Sequence, residues 1–168
     1  MRLAKRLLLA SLVCAGMGVA TSAEAACVIT GKGAVCKGGL SAMAMLVTDK
    51  DWERKWNTAR DTTPQFHTTS KLGKDESATL LTFFAVDKSG MLELSCDMTI
   101  KDSTGETERY PMQLCFRGEV IAGDIYMTQA ALMLTSDGET GTSEFTVGLR
   151  QEGNGTQVKI KTGVTYVP

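Results

Sequence analysis

Histidine occurs once in the 168 residues, at position 67, and that scarcity removes most catalytic and metal-binding designs at the outset. A metal site or a base-activated nucleophile would have to be built on that one imidazole. It follows Phe66 on an extended stretch, with neither an H-E-x-x-H helix nor a nucleophile elbow around it. The plain reading is an outward-facing strand residue. No Lys/Arg cluster is present, which argues against nucleic acid or an anionic membrane surface as partner. No second long apolar run follows the first twenty residues, so nothing reads as a stop-transfer segment. Internal repeats, low-complexity linkers and C-x2-C pairs are also missing.

What is present begins with a leader. Arg2, Lys5 and Arg6 form a basic start, Leu7 to Ala20 an apolar run too short for a comfortable span, and Ala23-Glu24-Ala25 the small-x-small pattern of a cleavage site. Residues 1–25 are expected to be a signal peptide, and residues 26–168 a single domain of 143 residues carrying a formal charge of minus three. Lipid-anchored cysteines follow an apolar residue at minus three; Cys27 has Glu24 there and Cys14 has Ser11. The expectation is therefore a periplasmic or secreted protein with no membrane anchor.

Four cysteines survive the cut, Cys27, Cys36, Cys96 and Cys115, an even number for an oxidising compartment. Sequential pairing is expected. A hairpin turning at Gly31-Lys32 would set Cys27 opposite Cys36, and Cys96 and Cys115 flank a polar turn from Lys101 to Glu108. A zinc site is the rival, disfavoured without a C-x2-C pair.

Along the chain the apolar period is two. Leu92, Leu94, Cys96, Met98 and Ile100 alternate with Glu93, Ser95, Asp97 and Thr99, the mark of a half-buried strand. Pairing this strand with Ala78 to Val86 across Asp87-Lys88-Ser89-Gly90 sets Ala85, Phe83 and Leu81 opposite Leu92, Leu94 and Cys96. A second hairpin centred on Asn154-Gly155 would place Leu149 opposite Ile160, Val147 opposite Thr162 and Phe145 opposite Val164. With strands at Leu40 to Thr48, Phe66 to Leu72, Tyr110 to Arg117 and Ile125 to Thr135, the pattern is all-β: an antiparallel two-sheet sandwich of seven to eight strands. One short helix near residues 49–57 interrupts it, with Thr48 or Asp49 as N-cap and Trp52 and Trp56 on one face.

Side chains that could carry function are few. Trp52 and Trp56, flanked by Arg54 and Lys55, could stack on a sugar or anchor a partner, or equally cover core. Met43-Ala44-Met45 has a spacing that exported copper sites use, but two methionines on one strand face are also what a core looks like, and no cofactor is expected. The acid pairs Asp49/Asp51 and Glu106/Glu108 would serve glycoside hydrolysis only across a cleft at a defined separation. Gly31-x-Gly33 and Gly38-Gly39 lack the strand-to-helix setting of a phosphate loop and should serve turns.

The succession of the Trp52/Trp56 element, the Pro64-x-Phe66 strand, Leu80 to Val86, Cys96-Asp97-Met98-Thr99 with Asp102-Ser103-Thr104-Gly105, and Phe145/Val147/Leu149 resembles an exported bacterial immunoglobulin-like sandwich. It departs from antibody-type domains, having no tryptophan between Cys96 and Cys115 and Gln113 in the place of a tyrosine-corner residue. The resemblance implies architecture and no activity. The expected function is a non-enzymatic binding or accessory module for a protein or glycan of the cell envelope, with Trp52, Trp56 and Arg54 as ligand-binding residues. A secreted inhibitor of a hydrolase and a carboxylate-based hydrolase are the alternatives.

Overall fold

Successive turns and strands leave the chain in two layers. The structure is a computed structural model that describes residues 34–59, 64–138 and 140–168, together with Ile29 and the backbone of Lys5–Arg6. The cleavage site, the mature N-terminus and the expected Cys27 to Cys36 hairpin lie outside those residues. In chain order the described elements are β1 (Lys5–Arg6), β2 (Val35–Lys37), β3 (Leu40–Val47), α1 (Trp52–Thr58), β4 (Lys71–Leu72), β5 (Ser77–Val86), β6 (Gly90–Lys101), β7 (Thr107–Val120), β8 (Asp124–Met127), β9 (Leu132–Thr135), β10 (Gly141–Gln151) and β11 (Gln157–Tyr166). The first sheet runs β1-β8-β5-β3-β2 with β9 also on β5, and the second runs β4-β11-β10-β6-β7. All pairings are antiparallel except β4 on β11. The fold is the expected two-sheet sandwich, with a higher strand count because β2, β4 and β9 are pieces of two to four residues.

The β2–β3 hairpin turns at Gly38-Gly39, whose φ of 56° and 82° supply the left-handed pair that a two-residue turn requires. Cys36 is disulfide-bonded, and its partner lies outside the described residues. The second disulfide joins Cys96 to Cys115 across β6 and β7, with a Cα separation of 5.6 Å.

Two register expectations are corrected. β5 and β6 are not a hairpin: β5 pairs with β3, β8 and β9, β6 with β7 and β10, and the Asp87–Gly90 segment crosses between sheets. β5 is buried along both faces from Leu80 to Val86, so its apolar pattern has no period from which to choose an inward set. The side facing the second sheet carries Leu80 and Phe84, while Leu81, Phe83 and Ala85 point the other way. In the β10–β11 hairpin Leu149 pairs with Val158, Val147 with Ile160 and Phe145 with Thr162, two residues from the expected register. A turn on Asn154-Gly155 alone would need φ above zero at both positions. Asn154 is not in that region, the glycines at 153 and 155 are, and the Gln151 N–H donates to the Thr156 carbonyl at 2.8 Å, which leaves a loop of four residues, 152–155. A slip of two preserves the faces, and Phe145, Leu149, Val158 and Ile160 all enter the core.

Between the sheets lies the main core, with Phe84, Phe145, Leu40, Leu94 and Leu149 among its fully buried side chains. A second apolar cluster sits on the outer face of the first sheet, where α1 and the 64–69 segment cover Val47, Leu81, Phe83 and Ala85.

Candidate functional site

The residues singled out from sequence gather on that outer face, and most are engaged in covering it. Trp56 is buried with its ring centroid 5.3 Å from Phe83, and Phe66 stacks on the same phenylalanine at 6.0 Å. Trp52 is half-buried in the same cluster. Arg54 is exposed and pairs with Asp51 three residues back. Met43 and Met45 face a small apolar cavity of about 180 Å³ with Phe66, Phe83 and Ile125. Among the described residues no cluster of three His, Cys, Asp or Glu side chains is placed to hold a metal.

His67 belongs to a latch. Its backbone N–H donates to Asp49 Oδ2 at 2.6 Å, and its Nδ1 lies 2.9 Å from Asp49 Oδ1, which Lys55 also reaches. Thr48 closes the same contact, its N–H donating to the His67 carbonyl at 3.0 Å. The Lys55 ammonium, and after it His67, hold the Asp49 carboxyl well below the ordinary carboxylate range. Asp49, expected as a helix cap, instead ties α1 to the 64–69 segment; the cap position falls to Asp51, whose side chain makes no capping bond.

A different opening lies along the flank of the sandwich, where β7 of one sheet and β9 of the other are both edges. β7 is exposed from Thr107 to Leu114. Its pairing with β6 is interrupted twice, between Leu94 and Ser95 and between Cys96 and Met98. The second irregularity sets Asp97 against the Pro111-Met112 stretch, so that Gln113 pairs with Cys96 and Tyr110 with Met98. Both partners line the opening, and the bulge therefore aims Tyr110 and Gln113, three apart in sequence, to the same side. Across the gap the chain breaks between β8 and β9. The Thr128 N–H donates to the Thr82 carbonyl in the first sheet at 3.0 Å, and the next amide, Gln129, donates to the Cys115 carbonyl in the second at 2.9 Å. These two bonds pin the sheets together at one end of the opening.

The resulting cleft has a volume of about 290 Å³, near the lower end of the ~300–1,000 Å³ usual for small-molecule sites. Leu80, Met98, Leu132 and Val147 line it with apolar surface, Thr82 adds a buried hydroxyl, and Tyr110, Gln113 and Gln129 supply a phenol and two amides. Hydrogen bonding to Glu108, and secondarily desolvation, raises the Tyr110 phenol above its ordinary value; its hydroxyl donates to the Glu108 carboxylate. Asp97 is the one carboxylate among the lining residues. The acid pairs weighed from sequence do not line this cleft: Asp49 and Asp51 sit by α1, the Glu106 amide donates to Asp102 in the β6–β7 turn, and Glu108 accepts from the Tyr110 hydroxyl. Sequence reasoning passed over Tyr110, Gln113 and Gln129. The available signals were Pro111 inside a strand pattern and the polar Thr128-Gln129 break in an otherwise β-forming run.

No protein-family model matches the chain, and no curated protein matches it in sequence. In structure it is similar to the C-terminal domain of wzt, at 12% identity over 79% of this chain and 75% of that one, with a TM-score of 0.46. It is also similar to part of a family 123 glycoside hydrolase from Clostridium perfringens, at 5% identity over 77% of this chain and 27% of that one, with a TM-score of 0.43. Neither likeness brings an activity to this chain.

Proposed function

We propose that this chain is an exported, immunoglobulin-like β-sandwich without catalytic activity, acting in the periplasm or outside the cell as a binding module whose ligand enters the flank cleft between β7 and β9. The observation that carries the reading is the lining of that cleft: an apolar floor reached from solvent, beside two primary amides, a phenol that donates to Glu108, and Asp97, whose buried Oδ1 has no hydrogen-bond partner among the described residues. Such a surface suits a compact neutral ligand with an apolar face and several hydroxyl groups, the chemistry of a sugar ring. Recognition is assigned to the cleft rather than to Trp52, Trp56 and Arg54, because the Trp56 indole is already packed on Phe83.

Calorimetric titration with a panel of neutral mono- and disaccharides tests this. Binding by the wild type that Gln113→Ala weakens by about tenfold, with Trp52→Ala unchanged, is the expected result. Binding lost on Trp52→Ala and kept on Gln113→Ala would move the site to α1.

A further inference from the structure

The cleft has a neighbour in line with it. A second cavity, of about 490 Å³, opens beside the β6–β7 turn and Tyr166. The two share three strands in matched steps: Leu132 and Leu134 on β9, Met98 and Ile100 on β6, Val147 and Phe145 on β10, the first of each pair in the cleft and the second in the neighbouring cavity. Each step is two strand residues, about 7 Å. The cavities thus follow one another by one such step along the same three strands.

Polar residues line the second cavity as well. It is lined by Ser103, Thr104, Thr140, Ser143 and Tyr166 together with Phe145 and Ile100. Its carboxylate, Asp102, is occupied within its own loop, with Oδ1 accepting from the Thr104 N–H at 2.9 Å, the Thr104 hydroxyl at 2.7 Å and the Glu106 N–H at 2.9 Å. An added peptide strand would need a run of free backbone donors and acceptors. The edges on offer are poor for that purpose: Pro111 interrupts β7 by lacking an N–H, and β9 has four residues.

We infer that the two cavities act as one groove that binds a linear, neutral oligosaccharide, with successive units seated over the Met98/Leu132 station and the Ile100/Leu134 station. This rests on the cleft being a ligand site and adds a second subsite and a chain-like ligand. The test is titration with neutral linear glucans, xylans and mannans graded from monosaccharide to hexasaccharide. The wild type should bind longer members of one series about tenfold or more tightly than the shortest. Thr140→Trp, filling the second cavity from an exposed position, should remove that gain and leave the shortest ligand unaffected; Ser103→Trp is the second blocking variant should Thr140→Trp unfold. Gln113→Ala should weaken every length alike. Affinity independent of length, with Gln113→Ala still weakening it, would overturn the two-station groove and leave the cleft proposal standing. Absence of binding across all the series would overturn both. Binding of an alternating apolar peptide, with protection of the β7 amides and no glycan binding, would assign the flank to a protein partner and overturn the inference.

Discussion

The outer face of the first sheet and the open flank are both apolar surfaces reached from outside, yet the fold treats them oppositely. The outer face is roofed by α1 and the 64–69 segment, fastened through Asp49 and filled by Trp56 and Phe66 against Phe83. Among the described residues the flank has no roof; the Thr128 and Gln129 amides pin one end. Conspicuous aromatics mark the place where burial is completed, whereas irregular backbone marks the place where it is left unfinished. Two strand-pairing shifts, a proline in a strand and a broken β8–β9 edge surround the cleft.

The largest expected effects lie under the roof and in the core. Trp56→Ala should cost about 3 to 5 kcal/mol and Leu94→Ala about 2 to 5 kcal/mol in denaturant unfolding, while Tyr110→Ala at the flank should cost less than about 1 kcal/mol. Comparable losses at Trp56 and Tyr110 would erase the contrast. Gly148→Ala comes next. A Cβ at that position would stand 2.0 Å from Asp97 Oδ1, so the substitution should cost about 1 to 3 kcal/mol, and Asp97→Ala should restore much of it in a double-mutant cycle.

The Asp49 latch gives a pH-dependent effect confined to the roof. Its carboxyl titrates lower in the folded than in the unfolded protein, where it should lie near ~3.9. Its stabilisation is therefore complete above about pH 4 and is lost as pH falls towards the folded value. Asp49→Asn should lower stability at neutral pH by about 1 to 3 kcal/mol and flatten this part of the acid profile. The smallest effect is expected at Arg54→Ala: the Arg54–Asp51 pair is exposed, so its loss should change stability by less than about 0.5 kcal/mol.

Strand faces were legible because the period of two survives wherever one face is wet, as in β6 and β11. The Cys96–Cys115 bond and the short helix were legible for local reasons as well. The partner of β5 was not, because apolar residues on both faces remove the periodic signal. Nor was the cleft. Tyr110 and Gln129 are brought to opposite walls by the edges of two different sheets, and no short-range pattern records that meeting.

The central claim is that the open flank, not the aromatic roof, receives the ligand. Backbone amide shifts followed by NMR during titration with a binding neutral oligosaccharide test it most directly. The account predicts the largest changes at Gln113, Gln129, Ala131 and Leu132, with Trp52, Arg54 and Trp56 unmoved. Changes centred on residues 52–56, with the β7 and β9 amides still, would contradict it.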